Sequence, residues 1–209
     1  MEIYLSDFLS LAVAHFIALL SPGADFFLIL ANSSKYGKKA GIITSFGIAS
    51  ANLVYILLAL FGISLIKNNE LIFTFIKILG SIYLLYIGYL LANSKKRDLF
   101  SKYTDKNKQN AKKSFIYFNM GFLSAILNPK NSIFYFTMFS ISVENYTSNF
   151  IQFFYAIWMF LAVLLWDIFI VYLIVNKKSQ VFLQKYSFYI EKISGYVLIS
   201  IGTILLINL

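Results

Sequence analysis

Asp25 and Lys130 are an acid and a base set in surroundings where charge is expensive. Each follows one of the chain's two prolines, in Ser21-Pro22-Gly23-Ala24-Asp25 and in Asn128-Pro129-Lys130, and each proline interrupts a long apolar run. Proline removes a backbone donor and stops a helix. Inside a membrane, the freed backbone groups are tolerated only where they face protein or a polar cavity. An ionisable side chain at that depth costs at least about 2.5–3.5 kcal/mol on insertion scales, so it is a functional candidate by default. The helix after each break begins with free N–H groups that suit a carboxylate, and the carbonyls before each break suit an ammonium group. Together with Asp25 and Lys130, such ends would bind both poles of a zwitterion. The plainer alternative is a structural ion pair between the two, and a pair that opens to admit a ligand would serve both roles.

Other polar groups at depth have weaker signals. His15 lies about two helical turns before Pro22, where a lone histidine is ordinarily a packed, hydrogen-bonded side chain; a transport role is its second reading. Lys77 is six residues inside its apolar run, within snorkelling reach of the surface. Asp167, beside Trp166, would either carry protons or pair with a basic loop residue. Asn128 is placed to cap the half-helix that Pro129 begins, while Asn52 and Asn119 are further amides in apolar runs.

The elements that position these groups are membrane spans. Hydrophobic residues make up 59% of the 209 and charged residues 13%, against about 25% charged in an ordinary soluble domain. The chain is therefore expected to be an all-α integral membrane protein. It has no cysteine and one histidine, which removes disulfides, thiol catalysis and a multi-histidine metal site. No nucleophile–base pair stands out either, so an enzyme is not expected, and no cofactor or metal is called for. The start, Met1-Glu2-Ile3-Tyr4-Leu5-Ser6-Asp7, lacks the basic region of a cleaved signal peptide, so the first run is expected to stay in the membrane.

Spans of about 20 apolar residues fall at roughly 7–31, 40–66, 71–92, 115–143, 150–175 and 189–208. The net charge of +9 is concentrated in alternate loops: Lys35, Lys38 and Lys39; eight residues from Lys95 to Lys113; and Lys177, Lys178 and Lys185. That alternation is the positive-inside pattern. It argues for a lipid-bounded protein rather than one that binds nucleic acid. It also puts the basic loops in the cytoplasm and both termini outside it. The middle loop, 93–114, divides the chain into 1–92 and 115–209, and its polar composition predicts little fixed structure. Each half has three spans, so the halves enter the membrane from opposite sides. The matched breaks at Pro22 and Pro129, in the first and fourth spans, then describe two inverted three-helix repeats, the pattern of a secondary transporter. Small residues four apart (Gly41, Ser45 and Ala49; Gly47 and Ala51; Gly88 and Ala92; Gly121 and Ala125) predict close helix packing.

At these residues the chain resembles the LysE/RhtB family of amino-acid exporters. Ser21 to Asp25 is similar to that family's Pro-Gly-Pro-Asp-type signature, with Ala24 where a second proline is usual. Lys39-Ala40-Gly41 with Gly47 resembles its second helix, and the stretch from Lys77 through Gly80 to Gly88 its third. Gly121-Phe122 and Leu127-Asn128-Pro129-Lys130 resemble its fourth helix, and Gly195 with Gly202 its last. The resemblance implies export of amino acids or close derivatives across a prokaryotic inner membrane, driven by the proton motive force. It implies that Pro22, Gly23, Asp25, Asn128, Pro129 and Lys130 line the pathway, with Lys77 and Gly80 in support. Asp25 is then the first candidate for proton carrier and Asp167 the second. A permease for another small solute or metal ion on the same scaffold is the alternative, and a homo-oligomer is compatible with either.

Overall fold

A computed structural model describes residues 2–66, 70–96, 98–100, 114–142 and 147–207. They form eight helices and, among the described residues, no strand: α1 (Glu2–Leu20), α2 (Ala24–Tyr36), α3 (Lys38–Ile66), α4 (Glu70–Ala92), α5 (Ser114–Ile126), α6 (Pro129–Ser142), α7 (Asn149–Val175) and α8 (Lys177–Ile207). By length and composition, Lys38–Gly62 and Asn149–Val175 are each enough to cross a membrane, and α1 with α2 makes a third candidate if the bent pair is one span.

Both prolines break a helix. The axis turns by 53° between α1 and α2, where Pro22 has no N–H to donate and Gly23 takes an extended conformation ahead of α2. At the second break, Asn128 accepts the Lys130 N–H through Oδ1 at 3.0 Å and so caps α6. The carbonyls left over at the end of α5 are taken up locally. Ala125 O accepts the Asn128 N–H at 3.2 Å, and the Tyr55 hydroxyl of α3 donates to Ile126 O.

The connections are tighter than the hydropathy suggested. α2 and α3 are separated by Gly37 alone, whose φ of 88° lies in the left-handed region that glycine enters without penalty. Lys35, Lys38 and Lys39 therefore lie on helix ends rather than in an open loop. Likewise α8 begins at Lys177 and runs unbroken, so the polar residues 177–188 are a helix surface and not a loop before a span at 189. Asn176 starts it by accepting the Lys178 N–H at 3.0 Å. That stretch turns Leu183 and Ser187 inward and keeps Lys185 outside, an amphipathic helix whose low mean hydropathy disguises it. Most of the 93–114 connection lies outside the described residues. Its described start is anchored, with Leu99 buried and its N–H donating to Gln184 Oε1 of α8 at 2.8 Å.

Glycines set two close crossings. A Cβ on Gly47 of α3 would meet Phe118 O at 2.1 Å, and one on Gly121 of α5 would meet Thr44 O at 2.2 Å. Gly88 of α4 and Gly195 of α8 face each other in the same way, each blocked by the other's carbonyl at under 3 Å. Around this frame the outward surface is greasy: Leu58, Phe61, Leu165 and Tyr196 are all exposed, a pattern suited to lipid. Gly121→Ala is expected to lower stability in detergent by about 1–3 kcal/mol, because the blocking atom is backbone and cannot step aside. Unchanged thermal melting of that variant would mean the α3–α5 crossing is looser than described.

Candidate functional site

The two breaks meet. Asp25 stands in the first turn of α2, where the helix dipole favours negative charge. Its carboxylate is held by the other break: Ser124 Oγ of α5 donates to Oδ1 at 2.9 Å, and Asn131 Nδ2 of α6 donates to Oδ2 at 3.0 Å. Lys130 makes the opposite journey. It sits in the first turn of α6, the unfavourable end of a helix for a cation, and reaches to the first break, where a Cβ on Gly23 would lie 3.7 Å from its ammonium. Its own carbonyl is fixed by the Tyr83 hydroxyl of α4 at 2.9 Å. Among the described residues no direct ion pair joins Lys130 to Asp25, so the two charges flank a common space instead of closing on each other.

That space is a cavity of about 80 Å³. A water needs only about 10–15 Å³ measured in this way, so there is room for several waters or for the charged core of an amino acid. His15, Gly23, Asp25, Asn128, Lys130 and Asp167, all anticipated from sequence, line it. Asn52, Asn131, Tyr135 and Trp166 complete the polar and aromatic wall. Pro22 lies outside it, on an adjoining apolar chamber. Gly80 packs elsewhere, with its missing Cβ 2.6 Å from Thr137 Cγ2 at the α4–α6 contact. The side chains of Lys77 and Pro129 lie outside the described residues.

Four buried polar atoms on this wall have no hydrogen-bond partner: both ring nitrogens of His15, Asn52 Oδ1 and Asp167 Oδ2. His15 is fully buried and packed by the rings of Phe134, Tyr135 and Trp158, with centroids 5.5–5.9 Å away. It is thus packed but not hydrogen-bonded. Asp167 is buried and lines the cavity, and among the described residues no lysine pairs with it. Buried polar groups are ordinarily satisfied, and several orphans around one hollow mark a place for water or a polar ligand.

Ser124 and Asn131 were not among the residues singled out from sequence. Asn131 directly follows Lys130 in the capped first turn of α6, and Ser124 lies one turn before Asn128 on the same face; proximity to the proline was the available signal. The arrangement offers a carboxylate with an open side, an ammonium, a capped helix start and unsatisfied donors and acceptors. It can grip a small molecule carrying both signs of charge.

Residues 16–209 match the LysE type translocator family. The chain is 31% identical over 191 residues to the uncharacterized membrane protein YrhP of Bacillus subtilis (strain 168), covering 88% of this chain and 90% of that one. It is 31% identical over 138 residues to the threonine efflux protein of Escherichia coli (strain K12), covering 65% and 66%. An uncharacterized membrane protein of Haemophilus influenzae (strain ATCC 51907 / DSM 11121 / KW20 / Rd) is 26% identical over 209 residues, with 96% of each chain covered. No solved structure matches.

Asn131→Leu is expected to destabilise the protein by about 1–3 kcal/mol, because it removes a donor from a partly buried carboxylate. Most of that loss should vanish in an Asp25→Ala background. A double-mutant cycle by denaturation in detergent reads the coupling, and additive effects would show that the bond to Asp25 contributes nothing.

Proposed function

Because the chain belongs to the LysE type translocator family, we propose that it is a secondary carrier exporting amino acids or close derivatives from the cytoplasm, with the cavity between the two breaks as its binding site. The observation that carries this is the convergence of Asp25, Lys130 and both interrupted helices on one space of about 80 Å³. The ligand's carboxylate lies against Lys130. Its ammonium lies against the open side of Asp25. The likeness to the threonine efflux protein supports an amino acid as cargo.

The carrier has six membrane spans, with α1–α2 and α5–α6 each counting as one interrupted span, arranged as two inverted three-helix repeats. The contacts of α3 with α7 and of α4 with α8, each joining corresponding members of the two halves, support that arrangement. It sits in a prokaryotic inner membrane with its lysine-rich ends on the cytoplasmic side. The halves rock about the shared site to expose it alternately, and inward proton movement drives export. Asp25 is occupied by Ser124, Asn131 and the ligand. The proton therefore rides on Asp167, whose carboxylate oxygen lacks a partner, with His15 across the same cavity.

Inverted membrane vesicles acidified inside should accumulate labelled amino acids only while the proton gradient lasts. Asp25→Asn should lower that uptake by about 30-fold, the equivalent of some 2 kcal/mol of charge-assisted binding, with membrane insertion unchanged. Lys130→Ala should fail similarly. Ordinary uptake by Asp25→Asn would remove the carboxylate from the mechanism.

A further inference from the structure

The polar cavity has a larger apolar neighbour. A chamber of about 280 Å³ lies between the first break, α7 and the N-terminal half of α8. Leu19, Phe26, Trp166 and Ile170 line both spaces, so the two adjoin along these side chains. On the far side stand Phe182 and Ser187 of α8. The lining is almost wholly hydrocarbon and aromatic. An apolar space of this kind does not hold water well and accepts apolar molecules instead, while left empty it forfeits the dispersion contacts of every atom around it. A molecule entering this space does so with an apolar part.

The geometry points to that occupant. A zwitterion gripped between Asp25 and Lys130 fills the small cavity with its charged core, and its side chain must leave toward some wall. The wall shared with the larger chamber is apolar, and the space behind it is far greater than threonine's side chain requires. We propose that this chamber is the side-chain subsite, and that the cargo is an amino acid with a long or bulky apolar side chain. The inference rests on the exporter reading above and adds the substrate class.

Burying one more methylene in such a space strengthens binding about fourfold. Purified full-length protein in proteoliposomes under a proton gradient should therefore favour, stepwise, alanine, 2-aminobutyrate, norvaline and norleucine, with about fourfold in apparent affinity per carbon. Ser187→Phe, which fills the chamber from α8, should collapse the norleucine-to-alanine ratio measured in the same vesicles. A flat series in the unaltered protein, with alanine and threonine still carried, overturns the subsite and leaves the exporter reading standing; a chamber held by a lipid acyl chain would give that result. A rising series that Ser187→Phe does not alter places the side chain elsewhere and also overturns it. Gradient-driven transport of no amino acid at all overturns both.

Discussion

The structure depends on the exchange of partners between two broken helices. A break in a low-dielectric setting leaves backbone groups and nearby charges with nowhere to turn. Here each break supplies what the other lacks. The carboxylate of the first is bonded by Ser124 and Asn131, which flank the second, and the ammonium of the second reaches Gly23 in the first. Neither half of the chain could hold its own charge so well alone. Bringing them together needs backbones in near contact, and the crossing of α3 and α5 over Gly47 and Gly121 provides that approach.

The same logic explains why the site is polar and hollow rather than neutralised and shut. A closed Asp25–Lys130 pair would have satisfied both ions and left nothing to bind. Instead, Asp25 takes neutral donors and Lys130 stands apart, while His15, Asn52 and Asp167 present atoms without partners. Groups in that condition hold unspent hydrogen-bonding capacity, which is what the exchange of ligand and proton proposed above would draw on.

Much of this was legible in the chain. Pro22 and Pro129 announced their breaks because proline's missing N–H acts locally, whatever the surroundings. Asp25 and Lys130 announced themselves because charge in an apolar run has few innocent explanations. Ser124 and Asn131 did not, since a serine or an amide is common enough in a membrane helix, and only folding reveals that each meets a carboxylate about a hundred residues away. The N-terminal part of α8 was hidden for a different reason. Its polar residues lower the average hydropathy, and the inward-facing Leu183 and Ser187 carry meaning only once a neighbouring surface is known. The apolar chamber, assembled from three separate stretches of sequence, left no local trace at all.

The length of α8 reaches beyond the protein itself. Its 31 residues extend about 46 Å at 1.5 Å per residue, whereas the hydrocarbon layer is about 30 Å thick. On the six-span reading proposed above, the excess stands among phosphates and glycerols, and Lys177, Lys178 and Lys185 make that the N-terminal end. Phe182 and Ser187 therefore stand close to the leaflet boundary, so a thicker or thinner leaflet would shift one wall of the hollow relative to the others. On that reading, lipid composition is a mechanical input to the size of the hollow.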